Sequence, residues 1–137
     1  MEKFYAGGFL YNPDDRTVLL HKQDGKAKVN PNSWAFFGGL NEGQESPVKT
    51  FRREMQEELS LGLDETACIP LVDYFNEELQ THRFVFYVVS RVKKSELVLG
   101  EGEGFEWIPL IKIFEYPQTE KTARDLRTFI SQRAQTA

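Results

Sequence analysis

From Ser46 to Leu61 the chain reads SPVKTFRREMQEELSL, and this stretch constrains the fold more than any other. Ser46 suits an N-cap, because its hydroxyl accepts from a free backbone N–H of the first turn. Pro47 fits the first helical position, where its missing donor costs nothing. Val48, Phe51, Met55 and Leu59 follow at helical spacing. At roughly 100° per residue they fall within about 80° of one another and form a stripe that faces a core. The spacing predicts a helix from Pro47 to about Leu59. Beside that stripe run Glu54, Glu57 and Glu58. Carboxylates three and four apart repel, at roughly 0.2–0.5 kcal/mol per pair. Arg53, four before Glu57, offsets part of this, and a divalent cation shared by the three carboxylates would offset far more. A solvated acidic face is the competing reading, because surface charge is the default for glutamate.

Composition bounds what such a helix can belong to. A chain of 137 residues matches one compact domain, so residues 1–137 are expected to share one core. Hydrophobic residues make up 40% of it, with 11 Phe, 5 Tyr and 2 Trp, which is enough to bury a core and excludes a disordered chain. No apolar run approaches the roughly 20 residues that span a bilayer, and Met1-Glu2-Lys3 leads into mixed sequence, so a cytoplasmic protein without membrane contact is expected. The single cysteine, Cys68, excludes an internal disulfide. With only His21 and His82 beside it, a zinc cage of thiolates and imidazoles is disfavoured. Any metal should be a hard cation held by oxygen. The net charge of -4 offers no electropositive footprint for a nucleic-acid duplex. A small phosphorylated ligand stays open where a bound cation inverts the local charge.

Elsewhere the periodicity alternates between strand and helix, with no internal repeat. Phe4 to Leu10 and Thr17 to His21 read as strands about the turn Asn12-Pro13-Asp14-Asp15. Leu71 to Phe75 and Arg83 to Val92 read as a second pair, and Phe84-Val85-Phe86-Tyr87-Val88-Val89 has the composition of a buried strand. Phe105 to Ile108 adds a short strand. From about Thr119 to Gln132, Ala123, Leu126, Phe129 and Ile130 share one stripe, which predicts a packing helix without chemistry. Adjacent strand runs without intervening helices favour a mixed sheet in an α/β or α+β domain.

The residues before the acidic stripe change its reading. Gly38-Gly39 is followed by Glu45 and then by Arg53-Glu54-Met55-Gln56-Glu57-Glu58-Leu59-Ser60-Leu61. This run resembles the Nudix box of the Nudix hydrolase family, G-x5-E-x7-R-E-U-x-E-E-x-G-U with U a bulky apolar residue, beginning at Gly39. Of its nine specified positions, eight match between Gly39 and Leu61. At this chain's residue frequencies the chance of that is on the order of one in 100,000. Trp34-Ala35-Phe36-Phe37-Gly38-Gly39 also resembles the segment that leads into the box. The departure is Ser60, where the family has a glycine that ends the helix in the left-handed region, a conformation a side chain disfavours by roughly 1 kcal/mol. Either Ser60 takes that conformation, or the helix runs on and Gly62 serves as a displaced cap.

The resemblance implies the Nudix fold, a mixed β-sheet sandwiched between α-helices. It also implies hydrolysis of a diphosphate bond in a nucleoside diphosphate linked to another moiety, with Mg²⁺ or Mn²⁺. The partner is then a small nucleotide or nucleotide conjugate, with nucleoside triphosphates and nucleotide sugars both open. Oligomeric state is undetermined, a homodimer being one option. Under the same resemblance Glu54, Glu57 and Glu58 match the metal-binding glutamates. Glu45 matches an auxiliary metal group, against a plain reading as favourable charge at a helix N-terminus. Arg53 orients the glutamates, Gly38 and Gly39 permit a backbone that other residues resist, and the Gly39 carbonyl reaches the metal. A further carboxylate is expected to serve as metal ligand or general base. Glu101 and Glu103, set among glycines, are the candidates, with Glu101 preferred for its distance from Glu106-Trp107.

For substrate contacts the sequence offers Lys22, Lys26, Lys28 and Arg83 for phosphates and Trp34, Tyr5 or Phe86 for a base. Each also reads as a surface charge or a core aromatic. Cys68 reads as a small buried hydrophobe. Two alternatives remain: a Nudix-fold binding or regulatory module with little turnover, for which Ser60 is the only support, and an oligonucleotide-binding domain, which the net charge disfavours.

Overall fold

Successive residues of a strand point to opposite faces of a sheet, so a strand buried along its length must be covered on both sides. The first strand, β1 (Phe4–Asn12), is of that kind: Ala6 and Leu10 enter one apolar cluster, and Phe9 and Tyr11 enter another. The computed structural model describes residues 2–23, 32–100 and 104–136. Within them follow β2 (Thr17–Lys22), β3 (Trp34–Ala35), β4 (Phe37–Leu40), α1 (Pro47–Leu59), β5 (Ile69–Asn76), β6 (Thr81–Val89), β7 (Gly104–Pro109) and α2 (Glu120–Thr136).

β1 lies at the centre of a seven-stranded sheet of order β3-β2-β1-β6-β5, with β4 also paired to β1 and β7 to β2. It runs parallel to β6, from Phe4 opposite His82 to Tyr11 opposite Val89, while the other pairings are antiparallel. The sheet is therefore mixed, as the strand spacing predicts. α1 covers one face: Phe51, Met55 and Leu59 join Ala6, Leu10 and Phe86, and Phe51 stacks on Phe86 with centroids 5.4 Å apart. α2 covers the other, where the Phe129 ring meets Phe9, Tyr11 and Tyr87 at 5.0 Å each. The result is the expected sheet between helices. None of the described helices is long and apolar enough to cross a membrane.

At four places the structure sharpens or corrects the sequence reading. Gly38-Gly39 belongs to a strand, β4, because glycines on both sides let it approach β1 closely, Gly7 lying opposite Gly38. Low strand propensity hides such a pairing. Neither glycine needs a left-handed backbone: among the described glycines only Gly43 has a positive φ. What Gly38 and Gly39 supply is room. Val48, in the first turn of α1, is only half-buried at the margin of the cluster. Phe86 is core, which removes it from the base-stacking candidates.

Candidate active site

α1 begins and ends as local chemistry dictates. Ser46 has an extended backbone and its hydroxyl accepts from Lys49 N at 3.3 Å, with Pro47 beginning the helix. At the other end Ser60 sits at φ 55°, ψ 35°, donating to the Gln56 carbonyl at 3.0 Å while Leu61 N donates to the Met55 carbonyl at 3.4 Å. Ser60 thus takes the left-handed role of the box glycine and Gly62 does not. Two carbonyls of the last turn are met from a distant segment: Val98 N donates to Leu59 O at 3.2 Å and Gly100 N to Glu58 O at 2.8 Å. A Cβ on Gly100 would collide with the Glu57 carbonyl.

The polar face of α1 is organised around Arg53. Its Nε donates to Glu45 Oε2 at 2.8 Å and its Nη2 to Glu45 Oε1 at 3.1 Å, the two-pronged geometry that fixes a guanidinium in orientation. Nη1 donates to Glu54 Oε1 at 3.1 Å and to Glu57 Oε1 at 3.3 Å, and Nη2 also reaches the Leu40 carbonyl at 3.0 Å. Glu45 Oε1 further accepts from Thr50 Oγ1 and Glu42 N, each at 2.9 Å. The hydrogen bonds from Arg53 hold the Glu45 carboxyl down at about 2, and those carboxylates in turn raise the Arg53 pKa.

The three box glutamates differ in setting. Glu54 is mostly covered, and burial raises its pKa against the opposing pull of Arg53. Its partner surface is β4, where a Cβ on Gly39 would collide with Glu54 Oε1. Glu57 is 55% exposed and turned onto Arg53, whereas Glu58 is buried. Among the described residues no three acidic, histidine or cysteine side chains are gathered tightly enough to hold a metal ion as they stand. The donor set nonetheless suits a hard cation, being all carboxylate oxygen with one member ionising against a desolvation penalty. Glu101 and Glu103, with Lys26 and Lys28, lie outside the described residues. Of the described neighbours, Gly100 donates to the Glu58 carbonyl at the end of α1 and Gly104 begins β7.

Glu58 also lines a cleft of about 480 Å³ bounded by Tyr5, Phe36, Asn76, Arg83 and Thr122. Arg83 is neither a surface charge nor a free phosphate hook. It is buried beside the ring of Tyr5, 4.7 Å from its centroid, and its Nε donates to Asp125 Oδ2 at 2.8 Å. Asp125, from α2, is fully buried and its Oδ1 accepts from the Tyr74 hydroxyl at 2.8 Å. Sequence reasoning missed this group. The available signal was Asp125 itself, a carboxylate in the stripe Thr122, Asp125, Leu126, Phe129 at helical spacing. Of the other candidates, Trp34 packs edge-on against Tyr116 at 5.8 Å, and Cys68 is buried as expected.

The site is thus a helix with a basic hub and an acidic stripe, on a sheet sandwiched between helices, with Glu58 opening on a cleft, the arrangement the box resemblance implies for a phosphoanhydride hydrolase. The NUDIX domain family model matches residues 1–131. The chain belongs to the Nudix family and is a Nudix hydrolase, acting on phosphorus-containing anhydrides. Solved structures share the fold. MutT from Aliivibrio salmonicida and Vibrio cholerae, described in one structure and function analysis, aligns at TM-score 0.78 with 18% identity, over 96% of this chain and 99% of that one. The E. coli ORF135 protein aligns at 0.77 with 20% identity, over 98% and 93%. The NUDIX domain of Shewanella oneidensis NrtR, crystallised with ADP ribose, aligns at 0.74 with 14% identity, over 96% and 87%. No curated protein matches the chain in sequence.

Proposed function

We propose that the protein is a metal-dependent pyrophosphohydrolase that cleaves the diphosphate bond of a nucleoside diphosphate linked to another moiety. The observation that carries this reading is Glu58, which belongs at once to the acidic stripe of α1 and to the wall of the cleft. A nucleoside seated in that cleft would direct its phosphates toward Glu54, Glu57 and Glu58, the residues that would hold Mg²⁺ or Mn²⁺ together with the Gly39 carbonyl. When bound, the cation supplies charge neutralisation and water activation at the diphosphate.

The chain's own groups do the rest. Glu45 fixes Arg53, and Arg53 keeps Glu54 and Glu57 on one side of α1. In this reading Glu45 works as the anchor of Arg53, since both its oxygens are engaged there, and not as a metal ligand. Glu101 or Glu103 remains our choice for the additional carboxylate, because Gly100 is bonded directly to the Glu58 carbonyl. The alternative, a module with little turnover, loses its support in Ser60, which terminates α1 as the family's glycine does.

The test is a phosphate and pyrophosphate release assay over nucleoside triphosphates and nucleotide conjugates, with Mg²⁺, with Mn²⁺ and with chelator. Release in both metals and none with chelator is expected. Turnover that chelator leaves unchanged would remove the metal from the reading.

A further inference from the structure

The cleft contains a cation whose arrangement says what it recognises. Arg83 is on β6 directly opposite Tyr5 on β1, so both side chains rise from the sheet face that α2 covers. The guanidinium lies over the rings of Tyr5 and Phe36, 4.7 and 5.6 Å from their centroids, and is anchored through Nε alone by Asp125. Asp125 is itself held by Tyr74. Among the described residues neither terminal nitrogen of Arg83 has a protein acceptor, and neither is sealed from solvent. A buried arginine held on one side, with two parallel donors left toward a cavity, is set for a ligand edge bearing two adjacent acceptors.

We infer that Arg83, positioned by Asp125, is the base-selecting residue of this hydrolase, and that its substrates carry a base with two neighbouring hydrogen-bond acceptors on one edge. Guanine offers O6 with N7, and cytosine offers O2 with N3. Adenine presents its N6 amino group beside N7, and uracil presents N3–H between its carbonyls, so each sets a donor against a donor. Tyr5, half-buried in the same wall, supplies aromatic surface for a planar base, and Glu58 marks the phosphate end. This inference rests on the proposed pyrophosphohydrolase for its substrate, but not for the cleft's choice of base.

The experiment is equilibrium binding of GMP, CMP, AMP and UMP to the protein without metal, alongside kcat/KM for the four nucleoside triphosphates with Mg²⁺. GMP or CMP should bind about tenfold or more tighter than AMP and UMP, which is about 1.4 kcal/mol. The order of GMP and CMP tells guanine from cytosine. Arg83→Met should abolish the preference, and Asp125→Asn should shrink it while KM rises more than kcat falls. Should Arg83→Met fail to fold beside an unpaired Asp125, the wild-type comparison and Arg83→Lys, expected to weaken the preference, still decide. Equal affinities for all four monophosphates overturn the inference, as does a preference that survives in a folded Arg83→Met protein. Hydrolysis of all four triphosphates with equal kcat/KM overturns it too, while leaving the pyrophosphohydrolase standing. A base preference in binding without hydrolysis of any substrate supports the inference and overturns the pyrophosphohydrolase.

Discussion

At the scale of single residues, Arg53 decides which carboxylates are spoken for. Its two-pronged bond takes both oxygens of Glu45, whereas the bonds to Glu54 and Glu57 come from one nitrogen at 3.1 Å or longer. The exposed Glu57 is therefore the partner most easily surrendered. Glu57→Gln and Glu58→Gln keep side-chain shape and remove charge. Each should lower kcat/KM by more than about 100-fold, beyond the 10–100-fold typical of groups that only orient ligands, with the melting midpoint little changed for Glu57→Gln. Near-wild-type turnover in both would end the assignment. Glu45 makes a different prediction. Its folded pKa of about 2 lies below the ordinary 4.5, so its ionised form stabilises the fold above about pH 4.5 and that contribution is lost as pH falls toward 2. Chemical denaturation of wild type and Glu45→Gln should show a stability gap near neutrality that narrows in acid. A gap of constant size would mean that the Arg53 bond is not the source.

Among elements, α1 is the one whose two ends matter most. Ser60 carries left-handed strain of order 1 kcal/mol, so Ser60→Gly should stabilise by about that amount and raise the melting midpoint by a few degrees, with hydrolysis unchanged. A lower midpoint would contradict the left-handed terminator. α1 was legible from sequence because its signals are local: a capping serine, a proline one residue later and an apolar stripe. β4 was hidden for the opposite reason, since Gly38 and Gly39 have no strand preference and pair only because β1 presents Gly7 and Ala6 across from them. The box glutamates could be named in advance, but not their differing burial, which depends on β4 and on the Val98 to Gly100 segment at the end of α1. Nor could Arg83 be matched with Asp125 and Tyr74, three residues on separate elements that only the tertiary fold brings together. Asp125 was the visible clue, a carboxylate one residue before Leu126 on the core stripe of α2.

For the whole molecule, two half-buried phenols set an alkaline limit. Burial pushes the Tyr5 and Tyr74 hydroxyls up to about 12, and the bond to Asp125 adds to the effect at Tyr74. A proton held more tightly in the fold than in the unfolded chain means stability that is full below about pH 10 and lost as pH rises toward 12. Absorbance titration of the 5 tyrosines, followed beside circular dichroism, should show late ionisation accompanied by loss of the sheet. Complete ionisation in the ordinary range with the sheet intact would refute it. The central pairing of β1 with β6 also governs assembly in time. Its partners lie more than half the chain apart, so this fold has a high contact order, and synthesis at about 5–20 residues per second leaves β1 waiting for seconds before β6 exists. During that interval β1 is an apolar strand with an open edge, the period of greatest aggregation hazard. Because Tyr5 and Arg83 face each other across this same late pairing, and Asp125 is made later still, the cleft is among the last features to form. A nascent chain can carry a finished acidic helix and still have nowhere to seat a nucleotide.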